Sequence, residues 1–281
     1  MIVARSCIPD PASVAAHYDD LDPFYRSVWG EHLHHGYWIS GKEAAEQAVL
    51  NLTHLVAQRA GIRSGTSVCD IGCGYGATAL ILARDYGATV TGITISHRQF
   101  AIAQSAAKET ANARFMLADA MDNGLQGGSF DSVIAIESSE HMPDKRQFFS
   151  EALRLLRPEG RLLITSWLTR ESPNFAETKF LLEPICTEGR LPSLASATEY
   201  QEMLAAAGFR EVSCADLTTG VQKTWSLCAV RFITKSITDP AFRRGWRNPA
   251  LSNRIFAKTI FRIWLAYKIG SVRYGLFSAV K

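Results

Sequence analysis

The chain has 281 residues, of which 47% are hydrophobic and 20% are charged, and its formal net charge is +3. A chain of this length and composition buries a substantial core, which excludes intrinsic disorder as a general description. We find no run of about 18 apolar residues and no export-type leader, so we expect neither a membrane span nor secretion. The six cysteines lack metal-ligand spacing, which is typical of a reducing compartment, and the predicted location is cytoplasmic.

The first 65 residues precede the first strand and are expected to form a helical segment that closes a pocket. The segment is rich in aromatic side chains, among them Tyr18, Phe24, Trp29, Tyr37 and Trp38. His32, His34 and His35 suggest a metal, but their spacing does not put three imidazoles on one helix face, and no acidic or cysteine cluster accompanies them. We therefore predict no metal site and interpret these histidines as part of the pocket wall.

Residues 68–78 have the pattern of an apolar strand, a glycine-rich turn and the start of a helix. Asp70 is followed by a glycine at every second position, which leaves bare backbone facing a ligand. The three glycines are Gly72, Gly74 and Gly76. The first two glycines and Ala77 also match the dinucleotide fingerprint, but that fingerprint requires a carboxylate at the end of the next strand, and residues 88–96 contain none. The acid-led turn instead resembles the S-adenosylmethionine (SAM) turn of Rossmann-like methyltransferases.

Strands and helices alternate from the glycine turn onward. The first predicted strand begins at residue 68, and the others cover residues 88–93, 114–117, 130–136, 161–167, 209–215 and 273–280. The predicted helices cover residues 41–61, 77–86, 96–110, 144–156 and 196–208. This alternation predicts an α/β fold with a Rossmann-like, doubly wound, seven-stranded sheet whose last strand is antiparallel. Ligands of such sheets bind beyond the carboxyl ends of the strands.

The same pattern divides the chain into segments. Residues 1–65 are the N-terminal helical segment, and residues 66–221 are the SAM-binding core. A cap loop is expected within this core at residues 168–195, where no clean periodicity is present. Residues 222–270 are expected to form a helical insertion that serves as a lid or an oligomer surface, and residues 271–281 return to the sheet as its last strand.

The resemblance becomes narrower at residues 92–96 together with Gln99, where Thr94 and Gln99 stand in place of an acidic ribose ligand. This stretch looks like the subgroup that includes cyclopropane fatty-acid synthases and tocopherol methyltransferases. Residues 29–37 and 136–145 are similar to the gamma-tocopherol methyltransferase branch, which resembles bacterial enzymes that methylate carbon, nitrogen or oxygen of natural products. The likeness spans nearly the whole chain, and it implies a class I SAM-dependent methyltransferase.

The cofactor is expected at three strand ends. The glycine turn would hold the amino-acid end and the ribose of SAM, with further ribose contacts from Thr94 and Gln99. Asp119 is placed to accept from the adenine amine, and Ala120 offers a backbone N–H beside it. The predicted cofactor-binding residues are Tyr18, Tyr37, Asp70, Gly72, Cys73, Gly74, Gly76, Thr94, Gln99, Asp119, Ala120 and Glu137.

Methyl transfer is an in-line displacement, which requires donor and acceptor to be held close together and a group that takes up a proton. His141 is the first candidate for this base, because the neighbouring carboxylate of Glu140 would raise its basicity. A structural role as a cap of the following helix is the alternative. His34 and His35 are secondary candidates. The predicted substrate pocket is lined by Phe24, Trp29, Trp38, Trp167 and Trp225, so the acceptor is expected to be hydrophobic.

The predicted reaction is methyl transfer to a small hydrophobic acceptor, most directly C-methylation of an isoprenoid, a prenylated indole or a phenolic natural product. O- or N-methylation and a cyclopropane-type lipid methylation are alternatives. A non-methylating SAM-binding cyclase also stays open. A nucleic-acid methyltransferase is disfavoured, because the Asn/Asp-Pro-Pro-aromatic tetrad of base-modifying enzymes is missing from the sequence.

The charge of the chain is unevenly distributed. Residues 231–281 hold eleven Lys or Arg and one acid, Asp239, for a net charge of +10, whereas the remaining 230 residues carry −7. Arg254, Lys258 and Arg262 form a basic stripe on an amphipathic helix that also carries large apolar residues. Such a helix either packs on its own domain, which is the default, or lies on a membrane surface.

Overall fold

A seven-stranded mixed sheet lies at the centre of the protein. In the computed structural model the described residues are 3–4, 14–15, 19, 34–247 and 253–281. The strands are β1 Val3–Ala4, β2 Ser67–Ile71, β3 Thr89–Thr94, β4 Ala113–Leu117, β5 Phe130–Ile136, β6 Leu156–Thr169, β7 Ser193–Leu194, β8 Arg210–Asp216 and β9 Val272–Val280. The large sheet has the order β4-β3-β2-β5-β6-β9-β8, and β1 pairs separately with β7.

The order of the strands creates a crevice in the middle of the sheet. β2 has the parallel neighbours β3 and β5, and β5 is parallel to β6. The chain therefore runs outward from β2 through β3 and β4, and then crosses to β5 on the other side. Such a reversal opens a ligand-binding crevice at the carboxyl edge of an open sheet. β9 is antiparallel to β6 and β8, so the predicted sheet and its antiparallel last strand are confirmed.

Helices cover both faces of this sheet. They are α1 Ala45–Ala60, α2 Ala77–Asp85, α3 His97–Ala106, α4 Lys145–Leu155, α5 Phe175–Glu177, α6 Glu183–Glu188, α7 Ala197–Ala207, α8 Thr218–Val221, α9 Lys223–Thr238, α10 Pro240–Arg247 and α11 Asn253–Ile269. One apolar cluster joins the sheet to α1, α2, α9 and α11, and a second joins it to α4 and α7. Among the described residues, none of these helices is both long and apolar enough to cross a bilayer.

Helices α3 and α7 both begin at a serine that caps the first turn. Ser196 and Glu199 form a reciprocal capping box at the start of α7. Ser96 caps α3 by accepting from the backbone of Gln99, but the Gln99 side chain accepts a hydrogen bond from the Thr94 hydroxyl at 2.9 Å. This side chain therefore joins the start of α3 to the end of β3, at the carboxyl edge of the sheet.

Residues 168–195 differ from the predicted cap loop. They contain α5, a π-helical turn at Thr178–Leu182 and α6, of which the π-helical turn and α6 pack against α11. The side chains that they bury include Leu182, Ile185 and Cys186. The three pieces are contiguous, but the π-helical turn between α5 and α6 interrupts the α-helical spacing, so no single helical period runs through residues 175–188.

Candidate active site

A cleft lies beyond the carboxyl ends of the central strands. Its empty volume is about 1100 Å³ including the open mouth, slightly above the range of roughly 300–1000 Å³ typical of small-molecule sites. The lining residues follow four strand ends, together with Val14 and His34: Asp70, Gly72, Cys73, Gly74, Tyr75, Ala77, Thr78, Ile93, Thr94, Ile95, Gln99, Ala118, Asp119, Ala120, Met121, Ile136, Glu137, Ser138, His141, Met142 and Pro143. The cleft therefore has room for a nucleoside-sized ligand and part of a second molecule.

The cleft brings together many of the predicted site residues. Those that line it are Asp70, Gly72, Cys73, Gly74, Thr94, Gln99, Asp119, Ala120, Glu137 and His141. Seven other predicted residues are described but do not line it: His35, Tyr37, Trp38, Gly76, Glu140, Trp167 and Trp225. Tyr18, Phe24 and Trp29 lie outside the described residues.

The glycine turn after β2 presents its backbone to the cleft. Gly72 and Gly74 have φ angles of 77° and 55°, in the left-handed region that favours glycine. A Cβ atom on Gly72 would lie 2.3 Å from Cβ of Ser138, whereas one on Gly74 would meet nothing within 4 Å. The turn thus touches the loop after β5 at Gly72 and faces open space at Gly74. Gly76 is the N-cap residue of α2 and lies behind the lining.

Asp70 is a buried acid at the bottom of this turn. It is 2% exposed, and its Oδ2 atom has no hydrogen-bond partner among the described residues. Burial raises the pKa of its carboxyl to about 7. A buried carboxylate oxygen without a partner is unfavourable, so the position is suited to an ammonium or another donor of a bound ligand.

Two further strand ends supply polar groups to the cleft. The hydrogen bond from Thr94 occupies the amide oxygen of Gln99, so the donor end of that amide remains for other contacts. Asp119 accepts from the backbone N–H of Met121 at 2.8 Å, which orders the loop after β4. Together with Ala120, these groups offer the donors and acceptors that a nucleoside requires.

Glu137 follows β5 and forms the centre of a buried hydrogen-bond network. Its Oε1 accepts from the backbone N–H of His35 at 2.6 Å and from the Tyr274 hydroxyl at 2.7 Å. Its Oε2 accepts from His35 Nδ1 at 2.8 Å and from Trp167 Nε1 at 2.9 Å. Burial on its own would raise the pKa of Glu137, but the interactions with His35 and His34 outweigh it and lower the pKa to about 2. Glu137 is therefore ionised at neutral pH.

His35 connects this carboxylate to the C-terminal helices. Trp225 donates its indole N–H to His35 Nε2 at 2.7 Å. An indole nitrogen only donates, so Nε2 accepts this hydrogen bond, and Nδ1 carries the proton that faces Glu137. The Tyr267 hydroxyl lies 3.3 Å from the same Nε2. His35 is fully buried and acts as a bridge between Glu137 and the helices α9 and α11.

His141 and Glu140 are neighbours in the 3₁₀ turn Ser139–His141, but only His141 lines the cleft. His141 lines the cleft, and burial lowers its pKa to about 4, so the imidazole is neutral at pH 7. Glu140 lies outside the lining and accepts hydrogen bonds from the Ser166 hydroxyl and the Trp167 backbone. Burial raises the pKa of Glu140 to about 8. The expectation that Glu140 raises the basicity of His141 is therefore corrected, because burial dominates both groups.

The predicted aromatic pocket residues take structural positions in the wall. Trp38 donates its indole N–H to the Glu43 carbonyl at 3.0 Å, and Trp167 and Trp225 donate theirs to the network of Glu137 and His35. Tyr37 packs against Gly220, where a Cβ atom would lie 2.4 Å from its ring. The three indole rings pack behind the cleft because a buried indole N–H requires an acceptor, and the acceptors lie there.

Sequence reasoning missed several polar residues of the lining. Ser138 donates to the Ile71 carbonyl at 2.6 Å and so joins β2 to the loop after β5. Thr78 lies 3.5 Å from Nε2 of His34, a residue that was only a secondary candidate. His34 donates from Nδ1 to the His35 carbonyl at 2.9 Å, and burial lowers its pKa. The histidines at positions 32, 34 and 35 could be recognised in the sequence as a candidate part of the site. Only the folded backbone shows that His34 lines the cleft and that His35 does not.

Comparison with known proteins identifies the family. Residues 6–238 match the model of the family described as mycolic acid cyclopropane synthetase. The chain is 34% identical over 286 residues to 2-methyl-6-phytyl-1,4-hydroquinone methyltransferase of Synechocystis sp., covering 96% of this chain and 87% of that protein. It is 36% identical over 228 residues to 27-O-demethylrifamycin SV methyltransferase of Amycolatopsis mediterranei, covering 80% of this chain and 83% of the relative.

Solved structures share the fold of this chain. The cyclase SpnF has 29% sequence identity and a TM-score of 0.81, and the match covers 97% of each chain. The mycolic acid cyclopropane synthase CmaA1, in complex with SAH and CTAB, has 24% identity and a TM-score of 0.85 over 99% of this chain and 100% of the other. The chain therefore belongs to the mycolic acid cyclopropane synthetase family, as a class I SAM-dependent methyltransferase of the tocopherol-like branch.

Proposed function

We propose that this chain transfers a methyl group from SAM to a carbon atom of a small hydrophobic acceptor: an isoprenoid, a prenylated indole or a phenolic natural product. One observation carries this proposal: the same cleft is lined by the glycine turn after β2, by the neutral imidazole of His141 and by apolar side chains. That lining includes Val14, Met121, Ile136 and Met142. The 34% identical relative is named for a hydroquinone with a phytyl chain, and such a molecule is both phenolic and isoprenoid, like the proposed acceptor.

The cleft residues fit the cofactor. The oxygen of Asp70 that lacks a partner among the described residues would accept from the ammonium of SAM, and the bare backbone at Gly74 would lie against its amino-acid end. Gln99 would contact the ribose, and Asp119 the adenine. When bound, SAM supplies an electrophilic methyl group. The ionised carboxylate of Glu137 lies on the lining and favours the positive charge of a sulfonium nearby.

His141 would complete the reaction as the proton acceptor. In C-methylation the sulfur–methyl bond breaks, a carbon–carbon bond forms, and the acceptor carbon loses a proton. A neutral imidazole on the cleft wall can take that proton at any pH above its own pKa of about 4. For O-methylation, the same imidazole would take the hydroxyl proton.

O-methylation is the second candidate, since the relative from Amycolatopsis mediterranei is named for an O-demethylated substrate. Incubation with methyl-labelled SAM and a panel of phenols, indoles and prenylated compounds distinguishes the two reactions. We expect a prenylated product heavier by one methylene, with the label on carbon by NMR, and slower turnover by His141→Gln with SAM binding retained. Label on oxygen would replace the proposal by O-methylation. Conversion of a polyene without label transfer would favour a cyclase.

The partner and the location are also proposals. The acceptor is expected to be a small hydrophobic molecule rather than a nucleic acid. Residues 222–270 could meet a second copy of the chain or a membrane surface. A cytoplasmic location is supported by the cysteines within the described residues, which are thiols rather than disulfides: Cys69, Cys73, Cys186, Cys214 and Cys228.

A further inference from the structure

The exposed large apolar side chains are concentrated in one part of the described structure. Outside it lie Ile39 and Leu117. The other nine are Phe175, Phe180, Val230, Ile233, Ile237, Phe261, Trp264, Leu265 and Ile269. They belong to α5, the π-helical turn, α9 and α11, and both α9 and the π-helical turn pack against α11. Apolar groups clustered in this way mark an interaction site, whereas single exposed ones do not.

Helix α11 is apolar on two opposite faces. Its inner face buries side chains that pack on the sheet: Ile260, Ile263, Ala266 and Tyr267. Its outer face carries exposed residues at helical spacing: Lys258, Phe261, Trp264, Leu265, Lys268 and Ile269. A surface helix of a globular protein normally has a polar outer face. The apolar stripe with a lysine near each end is instead the pattern of a helix that lies in a membrane interface.

Helix α9 has a similar outer face beside it. Val230, Ile233 and Ile237 are 58%, 46% and 70% exposed and follow one another at helical spacing. Its inner face buries Trp225 and Phe232. We define the basic apolar face as the outer faces of α9 and α11 together.

The charge of this face selects an anionic partner. The sequences of α9 and α11 contain no Asp or Glu. Arg262 pairs with Glu188 of α6, and Arg231 lies 3.7 Å from Glu46, whereas Lys258 and Lys268 accompany the exposed apolar groups. An isologous dimer through this face would bring two basic surfaces together, and such like-charge contacts are unfavourable.

The same helices reach the active site through their inner faces. Trp225 of α9 and Tyr267 of α11 both contact His35, which binds Glu137 on the cleft wall. The basic apolar face thus lies on the outer side of two helices whose inner sides support the cleft. An acceptor with a prenyl chain dissolves in lipid, so an enzyme held at the bilayer surface meets it there. This link to the acceptor rests on the proposed function.

We propose that the basic apolar face binds the surface of a bilayer that contains anionic lipid. The apolar side chains of α9 and α11 enter the acyl boundary, and Lys258 and Lys268 contact the headgroups. Both contributions are required, because apolar burial gives affinity and the lysines give preference for negative lipid.

Sedimentation of the full chain with vesicles tests this proposal. The vesicles are phosphatidylcholine alone, or phosphatidylcholine with phosphatidylglycerol. We expect stronger binding to the anionic vesicles, which weakens as salt is raised. Lys258→Gln/Lys268→Gln should lose that preference, with a roughly tenfold or greater fall in partitioning. Phe261→Ser/Trp264→Ser/Leu265→Ser should bind neither vesicle. The matched control Ile39→Ser/Leu117→Ser removes exposed apolar groups elsewhere and should bind like the unaltered chain.

Equal binding to both vesicles, or an equal loss in the control, would overturn the proposal. So would a dimer in solution that the triple serine variant converts to a monomer, since the face would then be a self-association surface. Circular dichroism reports folding, and the lysine variant decides the matter if the serine variant unfolds. The heat of SAM binding is measured in parallel. Vesicle binding without that heat would overturn the proposed function alone.

Discussion

At the level of single residues, the Glu137 carboxylate is the most constrained group of the cleft. It receives four hydrogen bonds from His35, Trp167 and Tyr274. A carboxylate has about four acceptor positions, so the protein fills them. Glu137 also has a φ angle of 52°, an uncommon backbone conformation for a residue other than glycine. It is therefore held as a fixed negative charge and is not available as the proton acceptor.

The substitution Glu137→Gln should destabilise the fold. The amide places a donor against groups that also donate, and it removes the charge that they solvate. Because the folded-state pKa lies near 2 against an ordinary value of 4.5, the loss should be roughly 3 kcal/mol at neutral pH. Chemical denaturation of both proteins across a pH series measures it.

The sign of the pH dependence follows from the depressed pKa of Glu137. Its stabilising contribution is complete above about pH 4.5 and is lost as the pH falls toward 2. The difference between the two proteins should therefore shrink in acid. Glu109→Gln, at an exposed position, is the matched control and should show no such difference. If the difference in free energy of unfolding between the unaltered protein and Glu137→Gln stays constant from neutral pH to pH 3, then Glu137 is not a fixed negative charge.

At the level of elements, the unit of β2, glycine turn and α2 holds the cofactor site in shape. Its strand is buried, its turn crosses three positions with positive φ, and its helix begins directly at the cleft. The sequence was sufficient to recognise this unit, because glycine spacing is a local property. The contact of Gly72 with Ser138 was not recognisable, since it joins two separate strand ends.

The substitution Gly72→Ala should weaken both stability and SAM binding. The left-handed backbone disfavours a side chain by about 1–2 kcal/mol, and overpacking against Ser138 adds roughly 1–3 kcal/mol. Thermal unfolding and calorimetry measure the two effects.

Two matched variants separate strain from contact. Gly128→Ala has the same backbone strain, with a φ of 67° and open space around it, and it lies outside the cleft lining. It should lose stability modestly and bind SAM normally. Gly74→Ala also faces open space but lines the cleft, so it should mainly lower the affinity for SAM. Equal behaviour of all three variants would contradict the assignment of this turn.

At the level of the whole molecule, helices cover both faces of the sheet and the cleft lies at its carboxyl edge. The cleft is formed by several strand ends that come together only in the folded chain, so a ligand bound there stabilises the folded state. SAM at one hundred times its dissociation constant should stabilise the protein by about 2.7 kcal/mol. For a chain of 281 residues that corresponds to a rise in melting temperature of about 5 °C. Differential scanning fluorimetry measures the shift, and NAD is the control ligand. A shift with NAD and none with SAM would contradict the cofactor assignment.

The sequence by itself determined the sheet, the acid-led glycine turn and most strand-end residues of the cleft, because these features depend on periodicity and short-range spacing. Only the tertiary structure decided that residues 175–188 are helical and that Trp167 and Trp225 support Glu137 rather than face the cleft. It also separated His141, whose pKa is lowered, from Glu140, whose pKa is raised. Burial and long-range hydrogen bonds control these properties, and both depend on segments that are far apart in the chain.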